Sequence, residues 1–231
     1  MALAENVVKP EPVTVSTNGS ATRRIREELD RHHVLAVALV GPPGAGKTAV
    51  IEATARHLKG RAKVAIIVAN PAAERDADRV SRYCSHVEGI KTHVPDAPAI
   101  LAALHKFDLA HIDILIFESA GGITGVPKLG QDQTVTVLSV SGGDDKAAEY
   151  DKLVAGSSVV LLSKADLQRH VLFDKGAFRA DVRRINPDAQ FMELSAFESS
   201  GLTRWIGWLE AKRAEKKPAK PSRLPSDSFV G

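Results

Sequence analysis

The feature that constrains this chain most is an apolar run, Val34-Leu-Ala-Val-Ala-Leu-Val40, that passes without interruption into Gly41-Pro-Pro-Gly-Ala-Gly-Lys-Thr48. The run is far too short to cross a bilayer, which takes about 20 residues. It also does not alternate with polar residues, so as a strand it has to be covered on both faces, as in a parallel sheet layered by helices. Comparable runs recur at Val64–Ala69, Ile112–Phe117, Thr134–Ser139, Ser158–Leu162 and Gln190–Glu193. Helical spacing separates them at Thr22–Arg31, Thr48–Leu58, Asp76–Tyr83, Ala97–His105 and Leu202–Ala214. This alternation predicts βαβ units, and hence an α/β fold with a mostly parallel central sheet between two layers of helices.

The segment after the first run matches the phosphate-binding pattern G-x-x-x-x-G-K-[ST], in the strand-to-helix context that the pattern requires. Gly41, Gly44 and Gly46 permit a tight turn, so that the N–H groups of Gly44, Ala45, Gly46, Lys47, Thr48 and Ala49 converge on nucleotide phosphates. Lys47 adds positive charge and Thr48 an oxygen ligand for magnesium. The expected architecture is therefore a three-layer P-loop NTPase.

Later motifs choose the nucleotide. The run ILIF ends at Glu118-Ser-Ala-Gly121, where an acid and a glycine at this spacing can sense magnesium and the terminal phosphate. Ser163-Lys-Ala-Asp166 resembles the guanine-reading N/T-K-x-D motif. A carboxylate at Asp166 can accept both N–H groups of the guanine edge, which adenine cannot offer, while the stem of Lys164 covers the base. Ser195-Ala196 matches the short motif that contacts the guanine carbonyl. These motifs fall at the ends of predicted strands, where parallel sheets bind ligands. Glu74 and Asp76 in AAERDADR are expected to position the attacking water or to join the magnesium shell; an acidic helix start is the simpler alternative.

Composition bounds the remainder. Of 231 residues, 44% are hydrophobic and 26% charged, which excludes wholesale disorder. The one cysteine, Cys84, cannot form an intramolecular disulfide, and the N-terminus shows no basic segment followed by a long apolar one; a cytoplasmic location is expected. The pI of about 9.0 comes from the C-terminal stretch. Residues 211–231 carry six bases and two acids, a net +4, so with +3 for the whole chain the remainder carries −1 and is close to neutral. Three segments are expected: a flexible stretch 1–20, a P-loop domain 21–210, and a basic disordered tail 211–231. A solvated tail is the simpler reading, and nucleic acid an unlikely partner.

Over Arg23 to Leu209 the chain resembles the nickel-inserting GTPases of hydrogenase maturation (the HypB family), with the urease accessory GTPases (UreG) as more distant relatives. The likeness rests on the stretch Asp113–Asp166 and on INPDAQFMELSAFESSGL. It implies GTP and GDP as ligands with magnesium, slow hydrolysis, nucleotide-linked homodimerisation, and metal delivery to an apo-metalloenzyme client with a metallochaperone partner. The chain departs from the family in several places. Thr92-His-Val-Pro-Asp96 and Thr124-Gly-Val-Pro127 stand where the family carries its nickel- or zinc-binding cysteines. Asn70 occupies the place of a magnesium-binding aspartate, and Ser163 that of an asparagine, a change expected to preserve guanine selectivity while loosening the loop. A hydrolysis-deficient nucleotide-binding scaffold is the alternative that these departures raise. Cys84, His86 and His93 are the remaining transition-metal candidates, since Cys84 and His86 would share one side of an extended segment. A small buried hydrophobe is the commoner role for a lone cysteine.

Overall fold

The structure, a computed structural model, describes residues 15–69, 78–84, 86–92, 95–120 and 125–216. The strands are β1 (Leu35–Gly41), β2 (Val64–Ala69), β3 (His86–Ile90), β4 (Ile114–Ala120), β5 (Gln133–Ser139), β6 (Val159–Ser163) and β7 (Gln190–Leu194). The helices are α1 (Val15–Arg31), α2 (Lys47–Leu58), α3 (Ala97–Leu104), α4 (Lys146–Glu149), α5 (Asp151–Ala155), α6 (Lys175–Ile185) and α7 (Leu202–Lys216). The strands form one sheet in the order β3-β2-β4-β1-β5-β6-β7, and every pairing is parallel.

Both faces of the central strands are covered, as their unbroken apolar runs require. Leu35, Val37 and Leu39 of β1 face a layer that includes Val50 of α2 and Trp205 and Leu209 of α7. Ala36, Ala38 and Val40 face Ile25 and Leu29 of α1 and Ile100 and Leu104 of α3. A third cluster joins Val160 and Leu162 of β6 to Phe178 and Val182 of α6. Trp205 is fully buried, and its indole Nε1 donates to Thr54 Oγ1 at 2.8 Å, locking α7 onto α2. Because α2 starts at the phosphate-binding loop, this contact also holds that loop's helix in place.

Several expectations need adjustment. Strand β3 is absent from the sequence reading because it is an edge strand whose five residues are exposed or half-buried, so no apolar run marks it. Helix α6 buries only Phe178 and Val182, which is too faint a stripe to stand out. At the N-terminal side the first helix begins at Val15, inside the stretch expected to be flexible. At the other end α7 runs on to Lys216, past the boundary placed at residue 210. Two bases of the supposed tail are structural: Arg213 pairs with Asp113 at 2.7 Å, and Lys216 with Asp132 at 3.1 Å. Asp132 also pairs with Arg26 at 2.8 Å and accepts from the backbone N–H of Ala36 at 2.8 Å, so one carboxylate ties both terminal helices to the start of β1.

Replacing Trp205 by alanine removes the largest fully buried side chain together with its hydrogen bond. The expected loss is about 3–5 kcal/mol, read as a shift of the urea unfolding midpoint.

Candidate functional site

The sheet reverses its direction of growth at β1, with β4 on one side and β5 on the other. Parallel sheets bind ligands at the C-terminal ends of strands beside such a reversal. The loop Gly41–Gly46 lies there. Gly41 has no room for a side chain: a Cβ would stand 2.2 Å from the carbonyl oxygen of Val137 on β5. Gly46 adopts a left-handed conformation (φ 85°) at the N-cap of α2, where no side chain caps the helix. The helix thus begins abruptly, presenting its first N–H groups and the positive end of its dipole to the loop. Lys47 is buried, and its ammonium donates to the carbonyls of Gly41 at 2.9 Å and Pro42 at 3.1 Å. Amide donors around a held cation make a cradle for a polyanion.

Glu118 lies on β4 opposite Leu39 of β1 and Val68 of β2. It shares the sheet face of Ile114 and Ile116, which α2 covers, so its carboxylate meets the first turn of that helix. Thr48 Oγ1 donates to Glu118 Oε1 at 2.7 Å, although 70 residues separate the two. A buried carboxylate and a hydroxyl at this distance supply hard oxygen donors, the chemistry that magnesium selects. The residues present therefore fit that ion. Asn70, Glu74, Asp76 and Gly121 lie outside the described residues.

The loops after β6 and β7 complete the edge. Ser163 is an anchor and not a loosened position, because its hydroxyl donates to the carbonyl of Ala45 at 2.5 Å and ties the β6 loop to the phosphate-binding loop. Lys164 follows in a left-handed conformation (φ 55°), and its ammonium donates to Ser141 Oγ at 3.1 Å. Ser195, fully buried, donates from Oγ to Asp166 Oδ1 at 2.5 Å, fixing the carboxylate's orientation. Ala196 is half-buried beside it. The sequence reading missed Ser139, Ser141, Lys146 and Tyr150, which line a cleft of about 430 Å³ with Pro42–Ala45 and Lys164. Their signal was positional: Ser139 ends β5 and the segment to Tyr150 follows directly on it.

Of the transition-metal candidates, Cys84 and His86 lie among the described residues, where each makes other contacts. His86 lies in β3 with Nε2 3.3 Å from Glu88 Oε1 and its ring edge-on to Phe107 at 4.6 Å. Cys84 packs against the core layer under α2. Burial pushes its thiol up to about 12, so it is protonated at neutral pH and a poor ligand. His93 lies outside the described residues. Among the described residues no group of three or more His, Cys, Asp and Glu could hold a metal ion. Cys84 is expected to react with Ellman's reagent at pH 8 roughly a hundredfold or more slower in the native protein than in urea; equal rates would show an accessible thiolate.

Comparison with known proteins agrees with this geometry. The family model described as "CobW/HypB/UreG, nucleotide-binding domain" matches residues 35–193. The hydrogenase maturation factor HypB of Escherichia coli (strain K12) is 31% identical over 202 residues, covering 85% of this chain and 69% of that protein. The crystal structure of HypB from Archaeoglobus fulgidus superposes with a TM-score of 0.79 at 27% identity, covering 86% of this chain and all of that one. HypB from Helicobacter pylori, solved in complex with nickel, shares the fold at 24% identity and a TM-score of 0.79, covering 88% of this chain and 99% of that one. With a family model matched over most of its length and a phosphate-binding loop at the sheet's reversal point, the chain belongs to the CobW/HypB/UreG family of nucleotide-binding proteins, with HypB proteins as its relatives.

Proposed function

We propose that this protein binds GTP at the Gly41–Thr48 loop, hydrolyses it slowly to GDP and phosphate, and serves as a cytoplasmic accessory protein in the maturation of a metalloenzyme. The observation that carries the reading is the bond from Ser163 to Ala45. It joins the loop that would hold the phosphates to the loop that would read the base, so the two halves of one ligand have one rigid receptor. The hydrogenase maturation factors among its relatives, one of them solved in complex with nickel, support the hydrogenase-type assignment with nickel as the cargo; a metallochaperone and an apo-metalloenzyme as partners, and a homodimer linked to nucleotide, belong to the same proposal.

In this reading the triphosphate takes the Lys47 ammonium over from the carbonyls of Gly41 and Pro42. The amides from Gly44 to Ala49 then face the phosphate oxygens. Magnesium, when bound, neutralises charge on the terminal phosphates; Thr48 would hold it, with Glu118 beside it and Asn70 as a further oxygen. Water attacks the terminal phosphorus, the bond to the bridging oxygen breaks, and GDP leaves with the negative charge that Lys47 and the amides stabilise. Asp76 would position that water, and Gly121 would follow the terminal phosphate. At the other end Asp166 accepts from the guanine edge while Lys164 covers the base and Ser195 and Ala196 meet the carbonyl.

Phosphate release should depend on GTP and magnesium, stay at background with ATP, and fall to background in Lys47→Ala. Undiminished release in that variant, or equal use of ATP, would overturn the assignment. For base recognition, Asp166→Asn should weaken GDP binding at least tenfold and favour xanthosine diphosphate, measured by titration calorimetry. Unchanged preference would place the base elsewhere.

A further inference from the structure

The exposed large hydrophobic side chains among the described residues are Val171, Leu172 and Phe197, and all three sit on the loops after β6 and β7. Phe197 differs from the other two in how firmly its backbone is held. The N–H of Ser195 donates to the carbonyl of Ser200 at 3.0 Å, closing a small loop with Phe197 inside it. Glu198 is pinned twice, through its N–H to Ser195 Oγ at 3.0 Å and through its carboxylate to Arg169 at 3.1 Å. Arg169 belongs to the helical turn that also carries Asp166, and Ser195 bonds Asp166 directly. Ser195 and Glu198, which flank the pair Ala196–Phe197, are therefore bonded to the segment that would read the base, while Phe197 itself is 89% exposed.

An aromatic ring left in water, two residues from the serine that bonds a carboxylate suited to a purine edge, has the chemistry of a stacking platform. Lys164, two residues before Asp166, offers a second apolar surface. Lys164 runs along the phosphate-binding loop, with Cε 3.8 Å from where a Cβ on Gly46 would stand and Nζ on Ser141. Its methylene stem is available to one face of a flat ligand. Resting on the guanine-nucleotide reading above, we propose that Phe197 stacks on the other face of the base, so that the purine is sandwiched between Phe197 and Lys164. Asp166 then sets which base is bound, and Phe197 sets how tightly, since every base offers a π face.

The test is calorimetric titration of the full chain and its variants with GDP and with inorganic tripolyphosphate, which has no base. Phe197→Ala should weaken GDP at least about fivefold, the lower end of what one base stack contributes. Tripolyphosphate should bind this variant as it binds the unmodified protein. Phe197→Tyr should restore GDP affinity, and Leu172→Ala should leave it unchanged. In the Asp166→Asn background, Phe197→Ala should weaken xanthosine diphosphate by the same factor as it weakens GDP in the parent. Unchanged GDP affinity in Phe197→Ala would overturn the stack while leaving the nucleotide site standing. Equal loss of tripolyphosphate would overturn it too, by showing that the loops had shifted. A parent protein that bound no GDP at all would remove both the stack and the reading beneath it.

Discussion

An α-helix leaves its first N–H groups without partners inside the helix, and in this protein the sheet delivers that end of α2 to its own centre. Strand β1 is flanked by β4 and β5, so the loop that follows it opens where the sheet reverses. The bare N-cap at Gly46 and the closeness of Gly41 to Val137 call for a tight turn with no side chain at either of its ends. A side chain at Gly41 would push β1 from β5, and a side-chain cap at Gly46 would compete with an anion for the same amides. The rest of the site is arranged around those donors.

Two long-range contacts convert that helix end into a site with chemical direction. The bond from Thr48 to Glu118 brings a carboxylate from a neighbouring strand to the first turn, giving the phosphate cradle an oxygen-rich side. The bond from Ser163 to Ala45 fastens the β6 loop to the other side. Ser195 and Arg169 extend the connection to the β7 loop. Each tie is a short polar bond between residues far apart in sequence, two of them from fully or almost fully buried hydroxyls. Such bonds resist exchange with water and hold loops that would otherwise move independently. The family match fits this picture, since the matched span runs from the start of β1 into β7.

Legibility in the sequence followed burial. Central strands such as Val64–Ala69 could be read because burial on both faces demands unbroken apolar runs. The edge strand His86–Ile90 could not, because half of its environment is solvent and its composition of His, Glu and Gly resembles a loop. The same logic explains the ends of the domain. Arg213 and Lys216 look like part of a solvated basic tail, yet they meet Asp113 and Asp132, whose positions depend on the sheet. Cys84 and His86 illustrate the same dependence on the fold: spacing makes them resemble a ligand pair, and the fold packs one against the core and sets the other against Phe107 and Glu88.

The phosphate-binding loop and its glycines, the lysine and threonine that follow, and the parallel layered architecture were determined by the sequence alone, because each depends on neighbours a few residues away or on the period of apolar residues. The tertiary structure decided which distant groups serve them. Ser163 became an anchor where a loosened loop was expected, Ser139 to Tyr150 became a wall of the cleft, and the loop that carries Phe197 came to be tied to Asp166 through Ser195. These roles arise from strand order and from hydrogen bonds across as many as 118 residues, and local pattern carries no record of which strand will lie beside which.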